Sequence, residues 1–259
     1  MLGEHGLAWP WESLHVEALA WFDHWLKGQD TGVLAGPRFR YILPGAEGWR
    51  ASDAWPLPDV AHQSLALRTD GMLSNEEGES GSRTLMALGA GLNRAKPSET
   101  DPPSSLSWDG EPLTHDLDVV GDIEVQLDAI CTASDTAWII FLQDVDASGT
   151  VTDVTAGYLR AGLREVDEAA SRPGAPDLPC RTFHAVPIGE LVHYRVPLVA
   201  NARRFKAGHR VRLFVTSDDQ DTNMPAMLTF RHASVGTSCL NTLQSSSRLM
   251  LPVMPREMH

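Results

Sequence analysis

A serine hydrolase needs its nucleophile on a sharp strand-to-helix turn beside oxyanion donors, and the signature of that turn is G-x-S-x-G. The nearest stretch, Gly78-Glu-Ser-Gly-Ser82, sets its second Gly at the wrong spacing in a polar run, so no nucleophile is expected there. Asp144-Val-Asp-Ala-Ser-Gly149 has the oxygen-bearing side chains and sixth-position Gly of a calcium loop. Its twelfth position is Thr155 rather than a bidentate Glu, which makes a hairpin turn the better reading. The acidic run Asp218-Asp-Gln-Asp-Thr-Asn223 lacks a Gly at a sharp turn and reads as a solvated loop. The 10 histidines include no H-E-x-x-H pair that would set two imidazoles on one helical face. His209, between Gly208 and a strong strand, is expected to hydrogen-bond the preceding turn. Trp49 and Trp55 could form an aromatic platform for sugar, although the edges of a β-sandwich use tryptophan as readily. Cys131, Cys180 and Cys239 fit neither a disulfide framework nor C-x-x-C spacing and are expected to be buried thiols. Neither a cofactor nor a metal is expected.

Helical spacing occurs in one place. Between Trp11 and Gly28, Leu14, Ala18, Trp21 and Trp25 form a stripe flanked by Val16, Leu19, Phe22 and Leu26, which predicts a core helix covered on both sides. Pro10 suits its start and Gly28 its C-terminal cap. Beyond Gly36-Pro37 the pattern turns to short extended runs, first at Arg38–Leu43 and Gln63–Arg68. Leu92 to Pro112, rich in Pro, Ser, Asp and Gly, reads as a long surface loop. Ile123, Val125, Leu127, Ala129 and Cys131 alternate with Asp122, Glu124, Gln126 and Asp128, as on a strand with one wet face. Trp138–Val145 and Val151–Arg160 make a hairpin, and further strands follow at Leu191–Leu198, Arg210–Ser217 and Arg248–Val253. Strands at this spacing, without further helices, predict a mainly β chain built as a two-sheet sandwich.

With 42% hydrophobic residues the chain can bury a sizeable core. A formal charge of −13 repels phosphate backbones and anionic lipid, which argues against nucleic acid and membrane as partners. Met1-Leu-Gly-Glu-His-Gly6 lacks the basic and apolar regions of a secretory leader, so the expected location is cytoplasmic.

Several phrases, in one order, resemble the C-terminal part of the cocaine esterase, α-amino-acid ester hydrolase and X-Pro dipeptidyl-peptidase family of serine hydrolases. They are Ala20-Trp-Phe-Asp-His-Trp-Leu-Lys-Gly28 with Asp30-Thr-Gly32; Gly48-Trp-Arg50 with Trp55-Pro-Leu-Pro58; and Pro112-Leu-Thr-His-Asp-Leu-Asp-Val-Val-Gly121. Asp135-Thr136 with Leu142-Gln-Asp-Val145, Gly157-Tyr-Leu-Arg160, Gly208-His-Arg-Val-Arg-Leu213 and Leu251-Pro-Val253 complete the series. The resemblance implies a jelly-roll, galactose-binding-like β-sandwich over 37–259. It implies a remnant of an α/β-hydrolase domain over 1–36, holding the helix at about 11–28. Leu2-Gly-Glu-His-Gly6 is similar to the stretch where the family places its triad histidine, so His5 would be the one triad member present.

A lone imidazole cannot turn over an ester, since loss of the nucleophile in a related triad costs about six orders of magnitude. The resemblance therefore implies a non-catalytic portion of a hydrolase of X-Pro dipeptidyl or acyl-ester bonds. An upstream α/β-hydrolase segment or subunit would supply Ser and Asp. Homo-oligomers through helix 11–28 are a second expected association. The alternative is a free-standing jelly-roll that binds a glycan or a protein through its loops.

Overall fold

The computed structural model describes residues 12–89, 95–218 and 235–255. Helix α1 spans Glu12–Lys27, inside the expected limits. It ends at Gly28, whose φ is 67°. The Gly28 amide donates to the His24 carbonyl at 3.1 Å, and the Gln29 amide donates to that of Asp23 at 3.2 Å. Those two bonds close carbonyls that the last turn would leave open, and only a residue at ease with positive φ permits them. No helix among the described residues is long and apolar enough to cross a membrane.

Strands β1 (Phe39–Ile42) and β2 (Trp49–Ser52) form a hairpin of their own. The body holds β3 (Ala61–Leu67), β4 (Leu73–Ser74), β5 (Ser82–Ala87), β6 (Ser105–Asp109), β7 (Leu117–Cys131), β8 (Ala137–Val145) and β9 (Val151–Arg160). A second small hairpin, β10 (Asp167–Arg172) with β11 (Ala175–Asp177), precedes β12 (Leu191–Phe205), β13 (Arg210–Thr216), β14 (Cys239–Gln244) and β15 (Arg248–Val253). One hydrogen-bonded sheet follows the order β4-β3-β15-β7-β12-β9-β8-β13-β6, and β5 joins it through β14. Its ends approach where Met72 bridges Asp109, so the sheet folds over into a nearly closed sandwich. Alternation explains the interior. Val125, Leu127 and Ala129 of β7 face Tyr194 and Val196 of β12, Trp138 and Ile140 of β8 and Leu213 of β13, all buried. A smaller core of Leu43, Leu57 and Val120 lies near the first hairpin, with Trp55 and Met254 packed on it. Among the described residues, both cores draw their members from residue 41 onward.

Three expectations need correction. The presumed loop Leu92–Pro112 contains β6, in which Leu106 and Trp108 point inward from a Ser-Leu-Ser-Trp-Asp alternation that the polar surroundings disguise. The second face of β7 is not wet throughout, because Glu124 is 1% exposed and receives Arg195 of β12, which also pairs with Glu168 of β10. Cys131 and Cys239 are buried as expected, but Cys180 is exposed. Burial raises the Cys131 thiol to about 11, beyond the hydrogen bond from Tyr194 that works the other way, so it stays an inert thiol at neutral pH.

Gly157 of β9 sits opposite Leu198 of β12. A Cβ there would lie 2.4 Å from the Pro197 carbonyl oxygen and 3.0 Å from Leu198 Cα, both backbone atoms that cannot swing aside. Gly157→Ala is therefore expected to cost about 1–3 kcal/mol, seen as a lower urea midpoint. An unchanged midpoint would contradict this packing.

Candidate functional site

His5 lies outside the described residues, and so do residues 219–223 of the acidic run. Three of the described histidines meet carboxylates. His193 Nδ1 lies 2.8 Å from Asp128 Oδ1, His209 Nδ1 lies 2.8 Å from Asp144 Oδ1, and His184 Nε2 lies 3.5 Å from Glu165 Oε2. A catalytic triad runs from hydroxyl to imidazole to carboxylate. Here the order is broken. Ser246 donates its hydroxyl to Asp128 itself, so the serine proton faces an acceptor that cannot pass it onward through the ring. Asp144 is 3% exposed and also takes Arg203 Nη2 at 2.8 Å, so its charge is committed to a guanidinium. His209 thus pairs with a carboxylate from β8 rather than with the preceding turn, a correction that follows from strand packing across 65 residues.

The other motifs resolve as architecture. Gly78-Glu-Ser-Gly-Ser82 leads into β5, and the Gly81 amide donates to Ser245 Oγ at 3.1 Å, so the segment is a strand approach rather than a strand-to-helix elbow. Asp146 accepts the Ser148 amide at 2.8 Å and the Thr150 amide at 2.9 Å, which fixes the β8–β9 hairpin turn expected there, while Asp144 points inward. Among the described residues, no group of three His, Cys, Asp or Glu could hold a metal ion. Trp55 packs on the smaller core beside Phe39, whereas Trp49 is 56% exposed with the Arg40 guanidinium 5.8 Å from its ring centre. The two tryptophans serve different surroundings.

A cleft of about 620 Å³ opens between the first hairpin and the ends of β7, β12 and β15, lined by Arg50, His115, Asp116, Asp118 and Arg204 among others. Arg204 grips Asp118 with two bonds, of 2.6 and 2.7 Å, and Asp116 accepts the Ala207 amide at 2.9 Å. The Pro112–Gly121 phrase therefore anchors β7 to β12. Asp135 does similar work, taking Arg160 Nε at 2.7 Å and the Gly162 amide at 3.0 Å. These pairs were not legible from spacing, since each joins residues far apart in the chain.

Helix α1 is the feature without an internal role in the sandwich. Its polar side faces the chain, with Glu17 paired to Arg40 of β1 and the Ala20 carbonyl accepting Thr31 Oγ1 at 2.9 Å. Its apolar side faces outward: Leu19 is 59% exposed, Trp21 48%, Phe22 55%, Trp25 57% and Leu26 78%. The expected cover on both sides is not provided by the described residues.

Residues 31–228 match the family model described as the X-Pro dipeptidyl-peptidase C-terminal non-catalytic domain. A protein of Mycobacterium tuberculosis whose name places it among serine esterases is 28% identical over 278 residues, which cover 96% of this chain and 42% of that protein. The cocaine esterase of a Rhodococcus strain is 22% identical over 92% of this chain and 45% of its own length. A solved CocE/NonD family hydrolase from Staphylococcus aureus superposes with a TM-score of 0.74 at 18% identity, over 93% of this chain and 46% of its own. The chain thus spans less than half the length of the relatives it matches.

Asp128 offers a test of the architectural role of these polar residues. Burial works against its charge, but hydrogen bonds from Ser246 and His193 outweigh burial and hold the carboxyl below its ordinary value. A depressed folded-state value contributes stability above the unfolded value of about 3.9, lost as pH falls through the lower folded one. The stability difference between the parent chain and Asp128→Asn should be present at pH 7 and shrink only as pH drops below that unfolded value. A pH-independent difference in thermal midpoint would contradict it.

Proposed function

The chain belongs to the family of X-Pro dipeptidyl-peptidase C-terminal non-catalytic domains, and on that premise we propose that it is the C-terminal sandwich of a serine hydrolase acting on X-Pro dipeptidyl or acyl-ester bonds. The observation that carries the proposal is α1. A helix that turns Trp21, Phe22, Trp25 and Leu26 away from its own chain needs an apolar seat elsewhere, and an upstream α/β-hydrolase segment or subunit would provide it. Residues 1–36 then belong with that segment, and the sandwich begins near residue 37. The partner would contribute the Ser nucleophile, the Asp and the oxyanion donors, while His5 would accept the serine proton and return it to the leaving group. The role left to the sandwich is to hold that histidine-bearing segment and shape the approach to the catalytic centre. The commitment of Asp144, Asp128 and Glu124 to cross-strand ties supports a scaffold rather than a second catalytic centre.

The 259-residue chain alone should neither hydrolyse a p-nitrophenyl ester nor be labelled by a fluorophosphonate. Joined to the hydrolase segment that precedes the matched region in a relative, it should do both. His5→Ala in that assembly should lower turnover by about six orders of magnitude. Labelling of the chain by itself would overturn the proposal.

A further inference from the structure

We propose that, in the 259-residue chain on its own, α1 is covered by α1 of a second copy, in an antiparallel pair related by a two-fold axis near Phe22. Leu19, Phe22 and Leu26 recur at intervals of three and four residues and form one seam, with Val16 and Trp25 beside it. All five are exposed. A two-fold axis through the middle of the seam sets Leu19 of each copy against Leu26 of the other, with the two Phe22 side chains at the axis, the self-matching arrangement that an isologous interface requires.

Area favours this occupant. With about 150–250 Å² for a whole aromatic side chain and less for Leu and Val, the exposures along α1 leave roughly 600–700 Å² of apolar surface per copy. The largest patch on a typical monomer is about 300–600 Å², and a stable standard interface takes about 800 Å² from each partner. Stable interfaces begin at about 600 Å² from each partner, which the helix alone reaches. Charge does not oppose the pairing. Glu17 is matched by Arg40, and Asp23 is matched by Lys27 at 2.6 Å, each within one copy, so these acids bring no uncompensated charge to a like helix. The aromatic side chains are also arranged beforehand, with Trp21 and Trp25 5.8 Å apart and His24 edge-on to Trp25. A hydrolase segment would compete for the same face, so failure of the self-pair leaves the functional proposal standing.

Sedimentation velocity of the chain at micromolar concentration should give twice its 28.3 kDa mass. Phe22→Glu with Leu26→Glu should halve that mass while the far-UV circular dichroism of the β-sandwich stays as in the parent. A monomeric parent chain, or a dimer that survives the double substitution, overturns the inference. Should the double variant not fold, Phe22→Cys in a Cys180→Ser background provides the second reading. A disulfide between two copies upholds the axis at Phe22, and absence of cross-linking under oxidation overturns it.

Discussion

The longest pairing among the described strands, β7 against β12, is the constraint from which the rest follows. Residues from Leu117 to Ile130 lie opposite Phe205 to Leu191, broken by one shift between Leu198 and Asn201. A run this long fixes which side chains face inward over its whole length, because a slip of one residue would turn Val125, Leu127 and Ala129 to the wrong face. Two ion pairs hold the register from the other face: Arg195 with Glu124 near the middle, and Arg204 with Asp118 toward one end. β15 and β14 then dock on β7, and β9 docks on β12 where Gly157 lets the backbones close.

That spine explains why the acidic side chains of the described sandwich are committed to structure. In the sandwich, Asp118, Glu124, Asp128, Asp135 and Asp144 each bind an arginine, a histidine or a backbone amide from another strand or turn. A carboxylate engaged in this way is a tie between elements, and its proton affinity serves stability rather than turnover. The outward aromatic face of α1 stands in contrast. Among the described residues it joins neither core, and an exposed apolar face of this size marks a site for association.

Much of this is legible in the sequence, where short-range pattern decides. The alternation from Ile123 to Cys131 marked β7, β15 was bounded correctly at Arg248–Val253, and Gly28 marked the end of α1. β6 was missed because two apolar residues in five, inside a stretch rich in Pro, Ser and Asp, give too little signal to separate a strand from a loop. The burial of Glu124 could not be read because its partner Arg195 is 71 residues away, and the same holds for His209 and Asp144. Amphipathicity in α1 announced that the helix wants cover, but periodicity is silent on which surface supplies it.

Urea unfolding of Arg195→Met tests most directly whether buried charge on the spine is structural. Removing the guanidinium strands a Glu124 carboxylate that is 1% exposed, and breaking a buried pair in this way costs about 3–5 kcal/mol, much of it recovered when Glu124 is also replaced by Met. A fall in the midpoint on the single change, largely restored by the double one, is the predicted result. A midpoint equal to the parent's in Arg195→Met would contradict the account.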